Sequence, residues 1–232
     1  MNTQAQANQA LVVLSSLAAA LVCAMLALYV ATGVGQDALQ FVHPPAAYAA
    51  LLLQAPDALR ALLGLDNLFL TTYAAVFVLL ARQLHARGAP ALPLAVGTAA
   101  MLATAVLDLL ENMNFLALLA AAELGHVPDV LAVHWQVVES GVKFHLSYLG
   151  LVLLGLAFPR TRTSERVLAG LLLFVQAPVG IAIHVAPPAF VAPLVFLRFA
   201  FFLAAFVLLA FMHAGAHRAA HARAEGGSGV PA

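Results

Sequence analysis

The stretch Asp108-Leu109-Leu110-Glu111-Asn112 sits inside an apolar run that extends from about residue 94 to residue 124. Roughly 20 apolar residues suffice to cross the hydrocarbon core of a bilayer, so this run reads as a membrane-spanning helix. At about 100° per residue, Asp108, Glu111 and Asn112 share one face of it. An ionised side chain turned to lipid near the bilayer centre costs at least about 2.5–3.5 kcal/mol. That face must therefore look inward, and its partners must come from other helices.

The rest of the chain supplies those helices. Of 232 residues, 64% are hydrophobic and only 9% charged, where an ordinary soluble domain carries about 25% charged residues. Such a chain cannot clothe a water-facing surface. The apolar runs are long and do not alternate, which excludes the short alternating strands of a membrane barrel. The predicted fold class is an all-α membrane protein with six transmembrane helices. The spans fall at about residues 10–33, 61–84, 94–124, 130–158, 167–185 and 190–213, within a single domain covering 1–223. The tail 224–232 has a disordered composition. Residues 34–60 are mixed in character, with Pro44-Pro45 as a break and a short interfacial helix predicted over 46–54. Pro178 with Gly180 predicts a kink in span five. The first span lacks the basic flank of a signal peptide and is read as uncleaved. Cys23, the one cysteine, is expected to be a buried apolar side chain. Trp135 and Tyr29 read as interface anchors.

Charge sets the orientation. The links after spans two and four hold Arg82, Arg87, Arg160, Arg162 and Arg166, and the tail holds Arg218 and Arg223. The alternate links hold Asp37, Asp57, Glu123 and Asp129 against Arg60 alone. The positive-inside rule then puts both termini in the cytoplasm. Alanine and leucine bias and the use of arginine over lysine fit a GC-rich bacterium, hence the inner (plasma) membrane. Zero formal net charge gives no sign of a nucleic-acid partner.

Short hairpin links allow depths to be matched between helices. Counting from the link near His126 places Lys143, the only lysine, level with Glu111, and His145 near Asp108. Counting from Gly88 places Asp66 within about one turn of Asp108. Pro187-Pro188 places Arg198 level with Gln176 to Pro178. Asp66, Phe69, Leu70 and Tyr73 share a face on span two, and Gln136, Glu139 and Lys143 share one on span four. Lys143 is expected to pair with Glu139, Glu111 or both, and Arg198 offers a second cation. The layer thus holds the carboxylates Asp66, Asp108, Glu111 and Glu139 against two cations. The excess negative charge invites protons, a charged His145 or a bound cation, which makes it a proton or ligand site with Tyr73 and Asn112 alongside. Asp108 and Glu111 are the expected proton carriers, Lys143 the mobile counter-charge, and Asp66 and Tyr73 the lining of the entry.

Histidines give weaker patterns. His134 and His145 lie three turns apart on another face and could ligate a metal or haem; haem wants a facing histidine on another helix, and His184, near the outer end, could serve His134. His213, His217 and His221 are spaced four apart, as a chelating helix would have them, although a solvated helix end has the same pattern. No P-loop, G-x-G-x-x-G, G-x-S-x-G, H-E-x-x-H or C-x-x-C occurs, and the sequence implies no cofactor.

Two resemblances cover parts of the chain. Asp66-Asn-Leu-Phe-Leu-Thr-Thr-Tyr73, Asp108-Leu-Leu-Glu-Asn112 and Lys143-Phe144 resemble a pattern in uncharacterised bacterial multi-pass membrane proteins, over spans two to four. That resemblance implies no activity. Ser140-Gly-Val-Lys-Phe-His145 is similar to the Ser…Phe-His element of alkaline ceramidase-like membrane hydrolases. Here serine and histidine are five residues apart and point about 140° away from each other. The H-x-x-W-H of that family's last helix is missing, and it has seven spans. Three functions fit the residues. The first is binding or transport of a small molecule or membrane lipid coupled to protonation. The second is a membrane-embedded lipid-modifying enzyme with Asp108 or Glu111 as general acid/base, with or without a metal held by the carboxylates and His145. The third is a structural assembly subunit.

Overall fold

A computed structural model describes the backbone over residues 3–226 and the side chains over residues 5–187 and 189–215. Among the described residues the regular structure is entirely helical. In chain order these are α1 (Thr3–Thr32), a 3-10 turn (Asp37–Gln40), α2 (Pro45–Leu52), α3 (Pro56–Ala86), α4 (Ala91–Glu123) and α5 (Val130–Ala157). Then come α6 (Thr163–Leu171), a π turn (Leu172–Gln176), α7 (Ala177–Val185) and α8 (Pro188–Gly226). Six rods are long and apolar enough to cross a membrane: α1, α3, α4, α5, the continuous α6–α7 and most of α8. The six spans expected from the sequence are therefore present.

Their ends differ from the sequence expectation for physical reasons. Helix α1 starts at Thr3 rather than near residue 10, because Asn8 has a buried partner. Gln83 donates to the Asn8 side-chain oxygen at 2.8 Å, and His213 lies 3.3 Å from it. His213 is thereby turned inward rather than solvated. The side chains of His217 and His221, and residues 227–232 of the expected tail, lie outside the described residues. Residues 224–226 continue α8 as helix. Cys23 is exposed on the outer face of α1, not buried.

Span five is interrupted by the π turn that ends at Gln176, two residues before Pro178. Proline has no N–H to donate and crowds the preceding turn, so the helix widens there. Gly180 then lets the Tyr148 ring of α5 lie against the backbone. Helices α4 and α5 also approach closely through glycine: a Cβ on Gly97 would stand 3.1 Å from the carbonyl of Gly150. Small residues at such a crossing are what allow membrane helices to pack without a hydrophobic drive between them.

One end of the bundle is capped. The Asp37–Gln40 turn and α2 fold over the ends of α3, α4 and α5, with Leu39, Tyr48 and Leu52 packed on Leu59, Leu63, Phe115 and Val133. Tyr48 is fully buried and donates to the Leu39 carbonyl at 3.1 Å. Burial, and then the nearby Glu111 charge, push its phenol pKa up, so it stays a neutral donor. Segment 46–54 thus contributes a packed lid to the bundle. The opposite end is tied by Arg87 to the buried Glu165 at 2.6 Å. Glu165 also caps the start of α6 by accepting from the backbone N–H of Thr161 and Arg162.

The glycine contacts give a direct check. Gly97→Leu should force α4 from α5 and cost about 1–3 kcal/mol. Gly141→Ala, where an added Cβ meets nothing within 4 Å, should be neutral or stabilising through helix propensity. Thermal unfolding in detergent reads both; equal losses would contradict this packing.

Candidate functional site

The face predicted on α4 is the centre of a buried polar network. Lys143 of α5 lies between two carboxylates of α4: its ammonium is 2.7 Å from Asp108 and also pairs with Glu111. Glu111 is fully buried. It accepts from Lys143, from the Ser140 hydroxyl and from Gln40 at 3.2 Å. Asp108 accepts in addition from the Tyr73 hydroxyl at 2.6 Å. Asn112 donates to Asp66 at 2.7 Å and to Asn67 at 2.9 Å, and accepts from Gln36 at 3.2 Å. Thus Asp66, Tyr73, Asp108, Glu111, Asn112 and Lys143 come together.

Two expected members do not join in the way the spacing implied. Glu139 makes no ion pair with Lys143. The inward face of α5 runs through Gln136, Ser140, Lys143 and Ser147, all buried. Glu139 sits at its edge, half-buried, so the four-residue spacing brings the two residues to the same side without bringing them into contact. Arg198 pairs with Asp37, at 2.7 Å, rather than with the carboxylates of α3 and α4. The two ion-pair systems are still adjacent, because Phe144 stands between them. Lys143 Nζ and Arg198 Cζ each lie 4.5 Å from its ring centroid.

The histidine pairing is also corrected. His184 meets His145, with ring centroids 5.3 Å apart. His134, three turns up α5 from His145, is exposed. His145 Nδ1 donates to the Gly141 carbonyl at 2.7 Å and faces α7 rather than Asp108. Ser140 is committed to Glu111 and to the Gln136 carbonyl. Among the described residues no three His, Cys, Asp or Glu side chains converge as metal ligands.

A cavity of about 730 Å³ opens beside this network, between α1, α3, α4, α5, the α6–π turn–α7 rod and α8. Asp66, Phe69, Tyr73, Phe77 and Leu80 line it from α3. They recur at three- and four-residue spacing over 14 positions, which is about 21 Å along the helix axis. Asp37, Asp108, Lys143 and Arg198 ring the end near the cap; Phe202, Phe206 and Leu209 line the sleeve beyond. Glu111 and Asn112 lie behind this wall. The carboxylates that face the cavity from the helices are Asp66 and Asp108, so the expectation that Glu111 carries an exchangeable proton does not fit its enclosure. Asp66 makes no ion pair among the described residues, and its hydrogen-bond donor is the neutral Asn112.

Sequence reasoning missed Gln36, Asp37 and Gln40, which reach the network from the loop after α1. Their signal was three polar residues within five positions of an otherwise apolar half. It used Gln176 only as a depth marker, whereas the residue is buried and neither of its amide atoms is hydrogen-bonded among the described residues.

No protein-family model matches the sequence, and no curated protein or solved structure matches it.

The Asp37–Arg198 pair gives an asymmetric test. Arg198 is nearly buried, whereas a quarter of the Asp37 side chain is exposed. Asp37→Asn strands a buried cation and should cost about 3–5 kcal/mol, whereas Arg198→Met strands a partly solvated carboxylate and should cost less. Glu139→Gln, with no partner to lose, should melt within about 0.5 kcal/mol of the parent. Thermal melts that reversed the order of the first two would contradict the pairing.

Proposed function

We propose that this protein binds, and passes across or along the membrane, an amphiphilic small molecule or lipid, with protons exchanged at the cavity carboxylates. The observation that carries the reading is the shape and polarity of the 730 Å³ cavity. Binding sites of this kind are mostly apolar with a few convergent polar groups. Here the polar groups gather at the capped end, and the aromatic sleeve continues beyond them, about 16 Å along α8 from Arg198 to Leu209, close to the ~15 Å of one leaflet's hydrocarbon. A head group at Asp66, Asp108, Lys143 and Arg198 with a chain in the sleeve fits that division.

Proton exchange follows from charge balance. Asp66, Asp108 and Glu111 oppose Lys143 alone, while Asp37 and Arg198 cancel. Two negative charges in a low-dielectric layer call for protons or a cationic group. The titratable groups around Asp66 and Asp108 in the cavity are Tyr29 on α1, Tyr73 on α3, Lys143 on α5, His184 on α7, Arg198 on α8, and Asp37 and His43 on the capping loop, with Glu111 of α4 behind the wall. The positive-inside pattern supports both termini in the cytoplasm, and the alanine, leucine and arginine bias supports a bacterial inner membrane. The elements that carry the resemblance to uncharacterised bacterial multi-pass proteins, Asp66…Tyr73, Asp108…Asn112 and Lys143-Phe144, contain most of the polar network.

A second reading is a membrane-embedded enzyme acting on a lipid. It is favoured by the Tyr73–Asp108 hydrogen bond at the cavity wall, a donor–carboxylate pair suited to acid/base work. Turnover of a bound lipid, lost in Asp108→Asn with the melting temperature retained, would favour it.

The test of the first reading is proton release. Single-chain amphiphiles with cationic, neutral or anionic heads are added to the protein in weakly buffered nanodiscs, and pH is followed. At least one head class should release or take up about one proton per molecule bound, and Asp66→Asn should abolish the exchange. Binding with no proton exchange in any class would contradict the coupling, and no binding of any class would contradict the reading.

A further inference from the structure

Resting on that reading, we propose that the ligand is a cationic amphiphile, a long-chain amine whose ammonium group pairs with Asp66 while its chain passes Gln176. Three observations converge. The first is charge: the groups around the head-group end sum to two negative charges when ionised, and both buried cations are already held, Lys143 by Asp108 and Glu111 and Arg198 by Asp37. An anionic head would deepen the imbalance and a neutral one would leave it. An ammonium group relieves it, which in a low-dielectric site is a strong discrimination.

The second is the state of Asp66. It lies on the cavity wall, holds one neutral hydrogen bond and makes no ion pair among the described residues. Its neighbours on the same stripe are Phe69 and Tyr73, packed edge to face with centroids 5.3 Å apart. A carboxylate beside aromatic rings is a setting that takes an alkylammonium ion through both charge and ring quadrupole.

The third is independent of the acidic groups. Gln176 is 3% exposed, lines the cavity, and leaves both its amide oxygen and nitrogen without a partner. A buried amide left unpaired costs free energy that a ligand group can recover. Its depth follows from two contacts across the α5 crossing: Gly180 meets Tyr148, and Leu172 and Leu173 meet Gly155. Gln176 thus lies near the level of Leu151, about 12 Å from Lys143 along α5. Asp66, level with Asn112, lies about one turn nearer the cap than Asp108 and Lys143, so the amine's chain should carry a hydroxyl or amide about 18 Å from its head. Helix α6–α7 widens into the π turn at this residue, an irregularity often found where helices meet ligands.

The experiment compares hexadecylamine, hexadecan-1-ol and hexadecanoate, binding to the full chain in nanodiscs of zwitterionic lipid. Hexadecylamine should bind at least about tenfold more tightly than the other two. Asp66→Asn should erase that preference and Asp66→Glu should retain it. Gln176→Leu should tighten hexadecylamine by about five- to tenfold, since the plain chain no longer leaves an amide unpaired. Equal binding of all three, or an amine preference that survives Asp66→Asn, would overturn the inference. If Leu151→Trp, placed to fill the sleeve, still blocked that equal binding, the broader amphiphile reading would stand. No binding of any probe would overturn both.

Discussion

Everything in this bundle is arranged around one ammonium group in a medium that cannot solvate it. Lys143 is the only lysine of the chain, and it sits where an uncompensated charge is most expensive. The arrangement that makes it tolerable uses three helices and a loop. Helix α4 supplies Asp108 and Glu111, α3 steadies Asp108 through Tyr73, and the capping turn reaches Glu111 through Gln40. Each of these contacts also fixes one element against another. The ion pair therefore sets the register of α3, α4 and α5, as buried polar groups do elsewhere when they specify one packing among several.

The cap over this layer shows how a loop acquires a structural role. Leu39, Tyr48 and Leu52 anchor it as a small apolar core on the helix ends. That anchoring lets Gln36, Asp37 and Gln40 point down into the bundle, where each finds a partner. Asp37 holds Arg198, so the loop after α1 and the last helix close the same end of the cavity. Phe144, between Lys143 and Arg198, makes the two charge systems neighbours without letting them merge.

Much of this was legible in the sequence because membrane helices obey simple constraints. Length and apolarity gave the six spans, and depth counting from short hairpins put Lys143 opposite Glu111. What failed has a common cause: spacing along one helix says which side a residue faces, not what stands across from it. Glu139 and Lys143 are four apart, yet the lysine turns to α4. His184 was matched to His134 by its place near a helix end, but α7 meets α5 at the level of His145. Arg198 found Asp37 because the long loop folds back, a path that hairpin counting cannot follow. The cavity was invisible for the same reason, being a property of how α8 packs on α1 and α7 and leaves space toward α3, α4 and α5.

Within the network the carboxylates divide their roles. Glu111 is enclosed by three donors and belongs to the framework. Asp66 faces the cavity with one neutral donor and is free to meet something that comes and goes. Residues held ready for a ligand tend to cost stability rather than add to it. The most direct test of this division is a side-by-side thermal melt of Glu111→Gln and Asp66→Asn in detergent. The account expects Glu111→Gln to lose about 3–5 kcal/mol, as when one side of a buried pair is removed, and Asp66→Asn to melt at or above the parent. An Asp66→Asn protein as badly destabilised as Glu111→Gln would show that both carboxylates serve the framework, and would contradict the assignment of Asp66 to a ligand.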